Sequence, residues 1–230
     1  MSVIKVRQKI KCLASVCLTI IFVLCATGCS KTHEEAKSTP KENIRKLQEY
    51  EKIGEESEGM LAVKRNGYWG YVETKNYDLV IDIMFDRCEP FKNGRAVVAI
   101  NEKEGVIDKQ GNYVLKTKYR DVEILDTPYI RCTLDNNGKE LYDINGTPII
   151  SDDKHYTSIE VYQVNGKTAI VAQAYVFVTI KTLQKREAAF IFDADGNMLV
   201  DGAKLEYTMI GEFKDGYAVV ERIIKSFAYN

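Results

Sequence analysis

Past Met60 the chain alternates between short β-prone runs and tight-turn pairs. Arg95-Ala96-Val97-Val98-Ala99-Ile100 is one such run, small and β-branched, with no helical period. Asn-Gly falls at Asn66-Gly67, Asn93-Gly94, Asn137-Gly138, Asn145-Gly146 and Asn165-Gly166, and Asp-Gly at Asp195-Gly196, Asp201-Gly202 and Asp215-Gly216. These pairs accept the positive φ of hairpin turns. Short strands separated by frequent turns predict an all-β domain over residues 60–230. The stretch before it, from Ser30 to about Gly59, is polar and charged and shows no β pattern. Within that stretch Thr39-Pro40-Lys41-Glu42 has the chemistry of a helix start: a cap, a proline at the first position and a capping-box partner. Ile44, Leu47, Tyr50 and Ile53 then recur every third residue until Gly54. The pattern predicts a short helix that packs on the domain or spaces it. A solvated flexible linker fits the same composition, since so short a helix is marginal alone.

Two elements repeat inside the β region. The first is an apolar pair, an acidic residue and a turn. It reads Val106-Ile107-Asp108, Leu141-Tyr142-Asp143 and Ile191-Phe192-Asp193, with Tyr71-Val72-Glu73 as a degenerate first copy. The acidic positions 73, 108, 143 and 193 are separated by 35, 35 and 50 residues. The second element places apolar residues three apart: Phe85, Cys88, Phe91; Tyr119, Val122, Leu125; Tyr156, Ile159, Tyr162; Tyr207, Ile210, Phe213. All twelve positions are apolar in a chain that is 45% hydrophobic, so the spacing is selected rather than incidental. Elements in fixed order at a constant period indicate tandem structural units.

The residues here resemble a known repeat. Asn66-Gly67-Tyr68-Trp69-Gly70-Tyr71-Val72 is similar to the opening of a WG (KWG) repeat. Phe91-Lys92-Asn93-Gly94-Arg95-Ala96-Val97-Val98 and Phe213-Lys214-Asp215-Gly216-Tyr217-Ala218-Val219-Val220 resemble its closing segment. Only the first copy keeps the Trp-Gly pair; Gly105 keeps the glycine in the second, and Glu140 and Ala189 stand for it in the third and fourth. The resemblance implies tandem β-hairpin or meander repeats, four units near 67–101, 102–136, 137–187 and 188–230. Met60-Leu61-Ala62-Val63 is then an extra strand pairing into the first unit. The array curls into a small propeller or runs as an open solenoid; units of about 40 residues suit both. The family implies no specific activity, so no functional residue is carried over.

The start of the chain bears on location. Lys5, Arg7, Lys9 and Lys11 precede an uncharged run that extends from Cys12 to Cys29, and no acidic residue appears before Glu34. A basic start, an apolar middle and small residues before a break form a secretory signal. The closing Ala26-Thr27-Gly28-Cys29 resembles a bacterial lipoprotein signal peptide, although Ala26 stands where that family usually has Leu. The resemblance implies residues 1–28 as signal peptide, a diacylglycerol on Cys29 with palmitate, and residues 29–59 as a tether. It also implies a cell-membrane location on the extracytoplasmic face. A cleaved signal without lipid, or an uncleaved anchor at the short limit of a spanning helix, are the other readings. All three put the domain outside the cytoplasm.

Charge and composition remove several function classes. The formal charge is −1, and residues 1–28 carry four cations and no acid, so the remainder is −5. That balance lacks the basic footprint of a nucleic-acid binder. Beyond the signal peptide and Cys29 only Cys88 and Cys132 remain, with two histidines, His33 and His155. No disulfide scaffold, Cys/His metal cluster or Ser-His-Asp set can be assembled from these, and no cofactor is expected. The two thiols read as small core residues, with a disulfide as the other possibility in an oxidising compartment. Asp193 opens a run like a calcium loop, but positions 6 and 12 are Met198 and Lys204 rather than Gly and Glu, so hairpin chemistry explains it. Trp69 and Tyr71 share one strand face, as a platform for a sugar or as core between units; buried aromatics dominate small β cores.

The third unit is longer than its sisters. Its surplus lies between Gly166 and Phe190, where a nearly uncharged β-prone run over Thr168 to Ile180 is followed by the charged stretch Lys181 to Glu187. This predicts a hairpin projecting beyond the array. It either contacts a partner through Tyr175, Phe177, Lys181, Lys185 and Arg186, or covers an exposed sheet edge. The function expected is that of a binding or interaction module for an envelope protein or cell-wall glycan. The alternatives are a glycan-cleaving enzyme using carboxylates from among Asp82, Asp86, Asp121 and Glu123, and a purely structural lipoprotein.

Overall fold

The computed structural model describes residues 40–179, 184–205, 207–210 and 220–222. Over these residues the protein is nearly all β, with four antiparallel four-stranded sheets. Helix α1 (Pro40–Leu47) precedes the first sheet, β1 (Lys52–Ser57), β2 (Met60–Arg65), β3 (Tyr68–Glu73) and β4 (Leu79–Phe85). The second holds β5 (Arg87–Cys88), β6 (Arg95–Ile100), β7 (Lys103–Asp108) and β8 (Tyr113–Tyr119). The third holds β9 (Asp121–Ile124), β10 (Tyr129–Thr133), β11 (Lys139–Asp143) and β12 (Pro148–Ile150). The fourth holds β13 (Tyr156–Val164), β14 (Lys167–Thr179), β15 (Gln184–Phe192) and β16 (Met198–Asp201). A four-residue helix α2 (Gly202–Leu205) and a two-stranded sheet, β17 (Tyr207–Ile210) with β18 (Val220–Arg222), follow. Each four-stranded sheet is a meander in chain order, the unit from which propeller-like repeats are built.

Successive sheets pack face to face through three apolar clusters. Tyr71, Ile81 and Phe85 of the first sheet meet Phe91, Val98 and Ile107 of the second. Val106, Leu115 and Tyr119 meet Val122, Ile130 and Cys132 of the third. Tyr129, Leu141 and Ile150 meet Tyr156, Ile159, Ile170 and Phe190 of the fourth. The three-residue spacing read from the sequence falls at these junctions. Phe85 and Tyr119 close the fourth strands, Tyr156 opens β13, and all three are buried. The fourth copy's Tyr207 and Ile210 lie in β17, while Phe213 lies outside the described residues.

The acidic residue of the first repeat element builds the same turn three times. The Asp108 carboxylate accepts the Gln110 and Asn112 N–H groups at 2.9 and 2.8 Å. Asp143 accepts those of Asn145 and Thr147 at 2.9 and 2.7 Å. Asp193 accepts those of Asp195 and Asn197 at 3.0 and 2.8 Å. The glycine of each turn, at 111, 146 and 196, has φ between +82° and +85°. These carboxylates are engaged by their own turns, which accounts for the residues that looked like calcium ligands.

The repeat glycine has a packing reason. Opposite Gly70, β4 bulges: Trp69 pairs with Phe85 but Tyr71 with Ile81. Opposite Gly105, β8 does the same, with Glu104 paired to Tyr119 and Val106 to Leu115. A Cβ on Gly70 would sit 2.6 Å from the Ile81 carbonyl oxygen, and one on Gly105 2.5 Å from that of Leu115. Counting back from the turn aspartate, the fourth copy's counterpart is Phe190, one residue past Ala189. It pairs one-to-one with Asp201 of β16, so nothing there requires a glycine.

Two readings upstream need correcting. The three-residue pattern does not carry the helix to Ile53: α1 stops at Leu47, and Lys52–Ser57 is a strand. Leu47 and Tyr50 pack on Leu61, Val63 and Val72, covering the outer face of the first sheet, whereas Ile44 and Ile53 are exposed. The β fold therefore starts before Met60, and β2 is an interior strand. The strand β1 showed no alternation because it is an edge whose side chains are almost all in solvent.

The sheets share a common polarity. Their 1–2 and 3–4 turns gather at one end: Gly94 N–H donates to Glu58, Lys109 to the Glu58 carbonyl, and Arg95 to the Ile144 carbonyl. The 2–3 turns lie at the other end, where Lys103 pairs with Asp135. The last turn of α1 is moored at the first end, through Lys46 Nζ on Asp78 at 2.6 Å and on the Asn76 carbonyl at 3.1 Å.

Candidate functional site

Among the described residues the longest hairpin is β14–β15. β13 pairs along β14 only from Lys167 to Ala174, and β16 pairs along β15 only from Phe190 onward. Beyond those points two strands run on alone, with Tyr175 opposite Glu187, Val176 opposite Arg186 and Phe177 opposite Lys185. One face of this extension turns inward, where Val176 packs on the cluster of Tyr156 and Phe190. The other face is open: Tyr175 is 58% and Phe177 57% exposed. Lys185 Nζ lies 5.0 Å from the centre of the Phe177 ring, a cation–π contact at the surface. The structure thus brings Tyr175, Phe177 and Lys185 together on one face. Arg186 is on the opposite face, half buried, donating to the Gly202 and Ala203 carbonyls at 3.2 and 2.7 Å. It anchors the hairpin to α2. Lys181 and Cys29 lie outside the described residues.

A second concavity lies along the first strands of three sheets. A cavity of about 650 Å³ is lined by Ser57, by Glu89, Pro90, Phe91 and Lys92 of the β5–β6 connection, and by residues 121–124 of β9. It contains Asp121 and Glu123, two of the four carboxylates considered for catalysis; Asp82 and Asp86 are not among its lining residues. Glu123 is held by Arg131 at 2.6 Å and Glu89 by Arg87 at 3.0 Å. Asp86 accepts the Asn101 N–H at 2.7 Å. Of the three cavity carboxylates, only Asp121 makes neither an ion pair nor a side-chain hydrogen bond to a described residue.

Polar side chains cap the edges of the first strands. Tyr71 Oη donates to the Glu89 carbonyl at 2.6 Å. Glu104 accepts the Val122 N–H at 2.7 Å and pairs with Arg87. Arg131 donates to the Ile159 carbonyl at 2.7 Å. Glu104 occupies the position Trp69 holds in the first copy, and burial pushes its carboxyl above the usual range against the pull of the Val122 N–H and Arg87. Nothing in the sequence marked Glu104, Glu89 or Arg131 except, for Glu104, a charge where its sister copy has an indole. Trp69 and Tyr71 sit on the core face. Tyr71 is buried and Trp69 packs against the same cluster, so the pair fills the junction between two sheets. Cys88 and Cys132 are free thiols. Burial pushes Cys88 up to about 11 and Cys132 higher still. Among the described residues no group of His, Cys, Asp and Glu could hold a metal ion, and no helix is long and apolar enough to cross a membrane.

The family model for the WG containing repeat matches residues 47–69 and 69–103. The chain is a WG-repeat-containing protein over that span. No curated protein sequence matches it. Solved structures similar to it include a dihydro-heme d1 dehydrogenase, NirN (12% identity, TM-score 0.34, 70% of this chain and 40% of that one). Others are a eukaryotic initiation factor (8%, 0.39, 63% and 41%) and the tricorn protease (12%, 0.34, 66% and 16%). The chain spans less than half the length of each, and none of their activities is carried over.

Proposed function

We propose that this protein is an extracytoplasmic lipoprotein, tethered to the membrane through Cys29, whose WG-repeat domain is a binding module for an envelope protein or cell-wall glycan. The observation that carries the reading is the β14–β15 extension. It exposes two aromatic rings and a lysine on one face of a two-stranded ribbon whose other face is packed and anchored. Single exposed apolar residues are ordinary; paired rings on a projecting, braced element suit recognition. Tyr175, Phe177 and Lys185 are the contact residues proposed, with Lys181 next to them in sequence. The extension leaves the sheets at the end with the 2–3 turns, and α1 is moored at the opposite end.

The enzymatic alternative is weaker on physical grounds. Glycan cleavage needs one carboxylate as acid and another as nucleophile or base. In the cavity, Glu123 and Glu89 are each ion-paired with an arginine, which leaves Asp121 without an unpaired carboxylate beside it. The test uses the full chain with its anchor, cross-linked in intact envelopes and isolated with whatever it holds. Wild type is expected to capture a partner that Tyr175→Ala/Phe177→Ala loses, with both at equal abundance in the membrane fraction. Undiminished capture by the double variant sinks the assignment, and Cys29→Ser remaining in the membrane after processing sinks the anchor.

A further inference from the structure

We infer that the Tyr175–Thr179 edge of β14 pairs antiparallel with the same edge of a second copy of this chain. β14 is flanked by β13 on one side up to Ala174 and by β15 on the other up to Thr179. From Tyr175 to Thr179 the backbone facing the β13 side pairs with no described strand. A strand edge left open is a template for another strand, and folds normally blunt it with charges, proline, bulges or covering groups. This fold does so elsewhere: Tyr71, Glu104 and Arg131 each place a polar group on the first-strand backbone of the next sheet. Here, among the described residues, no side chain reaches the edge, and its sequence Tyr-Val-Phe-Val-Thr has neither charge nor proline.

The segment is its own complement, which selects a second copy as the occupant. Antiparallel pairing about a two-fold axis at Phe177 sets Phe177 opposite its counterpart and Val176 opposite Val178. Tyr175 then meets Thr179. Aromatic and β-branched partners are the favourable cross-strand pairs. The nearest charges, Lys185 and Glu187, lie on β15, across β14 from this edge, so among the described residues no like charge faces the approaching strand. The two Tyr175–Phe177 faces become one strip of four rings on a four-stranded ribbon, which doubles the surface assigned above to the partner. Five paired residues a side fall short of the roughly 1,200 Å² of a stable interface. The pairing therefore draws on the high local concentration of molecules held on one membrane, and in that respect it rests on the proposed anchor.

The test is cysteine cross-linking of the full chain in membranes, with the native thiols retained and wild type as baseline. Phe177→Cys, on the axis, should cross-link to itself. Tyr175→Cys alone should not, but Tyr175→Cys mixed with Thr179→Cys should give the mixed dimer. Adding Tyr175→Lys, exposed and opposite Glu187, to Phe177→Cys should abolish the cross-link without moving the protein from the membrane fraction or lowering its melting temperature. Self-cross-linking of Tyr175→Cys equal to that of Phe177→Cys means collision or another register and overturns the inference. So does an uncross-linked Phe177→Cys in a protein shown to be membrane-bound. Release of wild type from the membrane counts against the anchor instead, and the same reagents applied to detergent-solubilised chain at high concentration then decide the pairing.

Discussion

Replacing Gly105 by alanine tests why the repeat keeps a glycine in the third strand of its first two sheets. The methyl group would lie 2.5 Å from the Leu115 carbonyl oxygen and 2.7 Å from Lys116 C and Thr117 N. Unstrained heavy-atom contact is about 3.5 Å, so the methyl intrudes by about 1 Å on three atoms. All three belong to backbone and cannot rotate away. The β8 bulge must lift, and that bulge delivers Tyr119 to the core between the second and third sheets. Overfilling a packed interior costs about 1–3 kcal/mol, and opposition by backbone puts this case at the top of that range. With a urea slope of about 2–3 kcal/mol per molar, the unfolding midpoint falls by about 1 M. Gly70→Ala should behave alike, since its methyl meets the Ile81 carbonyl oxygen at 2.6 Å. Gly94→Ala is the control: its φ is +74° and nothing lies within 4 Å, so it loses about 1 kcal/mol to conformation alone. Equilibrium urea unfolding followed by circular dichroism reads all three. A Gly105→Ala midpoint within about 0.3 M of wild type, or no lower than that of Gly94→Ala, refutes the steric account.

Glu104→Ala should cost about 1–3 kcal/mol by leaving the Val122 N–H without its acceptor, and Glu104→Gln should recover most of it; equal losses in urea melts count against the edge-capping role. The turn carboxylates carry a pH signature. Burial alone would raise Asp108, but the Asn112 and Gln110 hydrogen bonds hold it below the usual range, and Asn197 does the same for Asp193. Their contribution is complete above the ordinary carboxylate pKa of about 4 and is lost as pH falls through the lowered folded values, so Asp108→Ala/Asp193→Ala should unfold more readily at neutral pH yet lose less on acidification. Finally, burial keeps both thiols protonated at neutral pH, so Cys88 and Cys132 should resist iodoacetamide in the folded protein and react in urea; rapid native alkylation of either contradicts the packing.

The sequence disclosed whatever is periodic and buried or bound to a turn. Phe85, Tyr119 and Tyr156 could be found because each crossover between sheets must bury a large apolar side chain at the same step. Asp108, Asp143 and Asp193 could be found because one turn geometry needs one acceptor at its first residue. What escaped has no such constraint. The strand β1 pairs through its backbone and leaves its side chains in water, so it left no alternation to read. Ile53 kept the helical step but fell one residue into that strand. Arg186 looked like part of a basic tip because adjacent residues of a strand face opposite ways, and only the register shows that it points at α2 while Lys185 lies over Phe177. The cavity beside Asp121 and Glu123 is formed by three sheets and has no local signature.

The repeat and the sheet are out of phase, and this bears on how the array holds together. The second family match, 69–103, begins in β3 and ends at the start of β7, so one sequence unit supplies the last two strands of one sheet and the first two of the next. Had the unit coincided with the sheet, neighbours would meet only through side chains. Instead each unit carries its chain across a junction, with the buried Phe85 or Tyr119 at the crossing and a polar side chain tying the next first strand from behind. A lost sheet would leave two half-units with exposed junction faces, so stability passes along the chain from neighbour to neighbour. At the start the same logic requires a cover for the first sheet, and among the described residues Leu47 of α1 and Tyr50 just after it supply it. The β14–β15 ribbon departs from this economy: it is long, its edge is uncapped among the described residues and its rings are exposed, although each of the three junctions between the four-stranded sheets is closed by a named side chain. That contrast within one molecule, more than the exposure of any single residue, is why interaction is assigned to the ribbon.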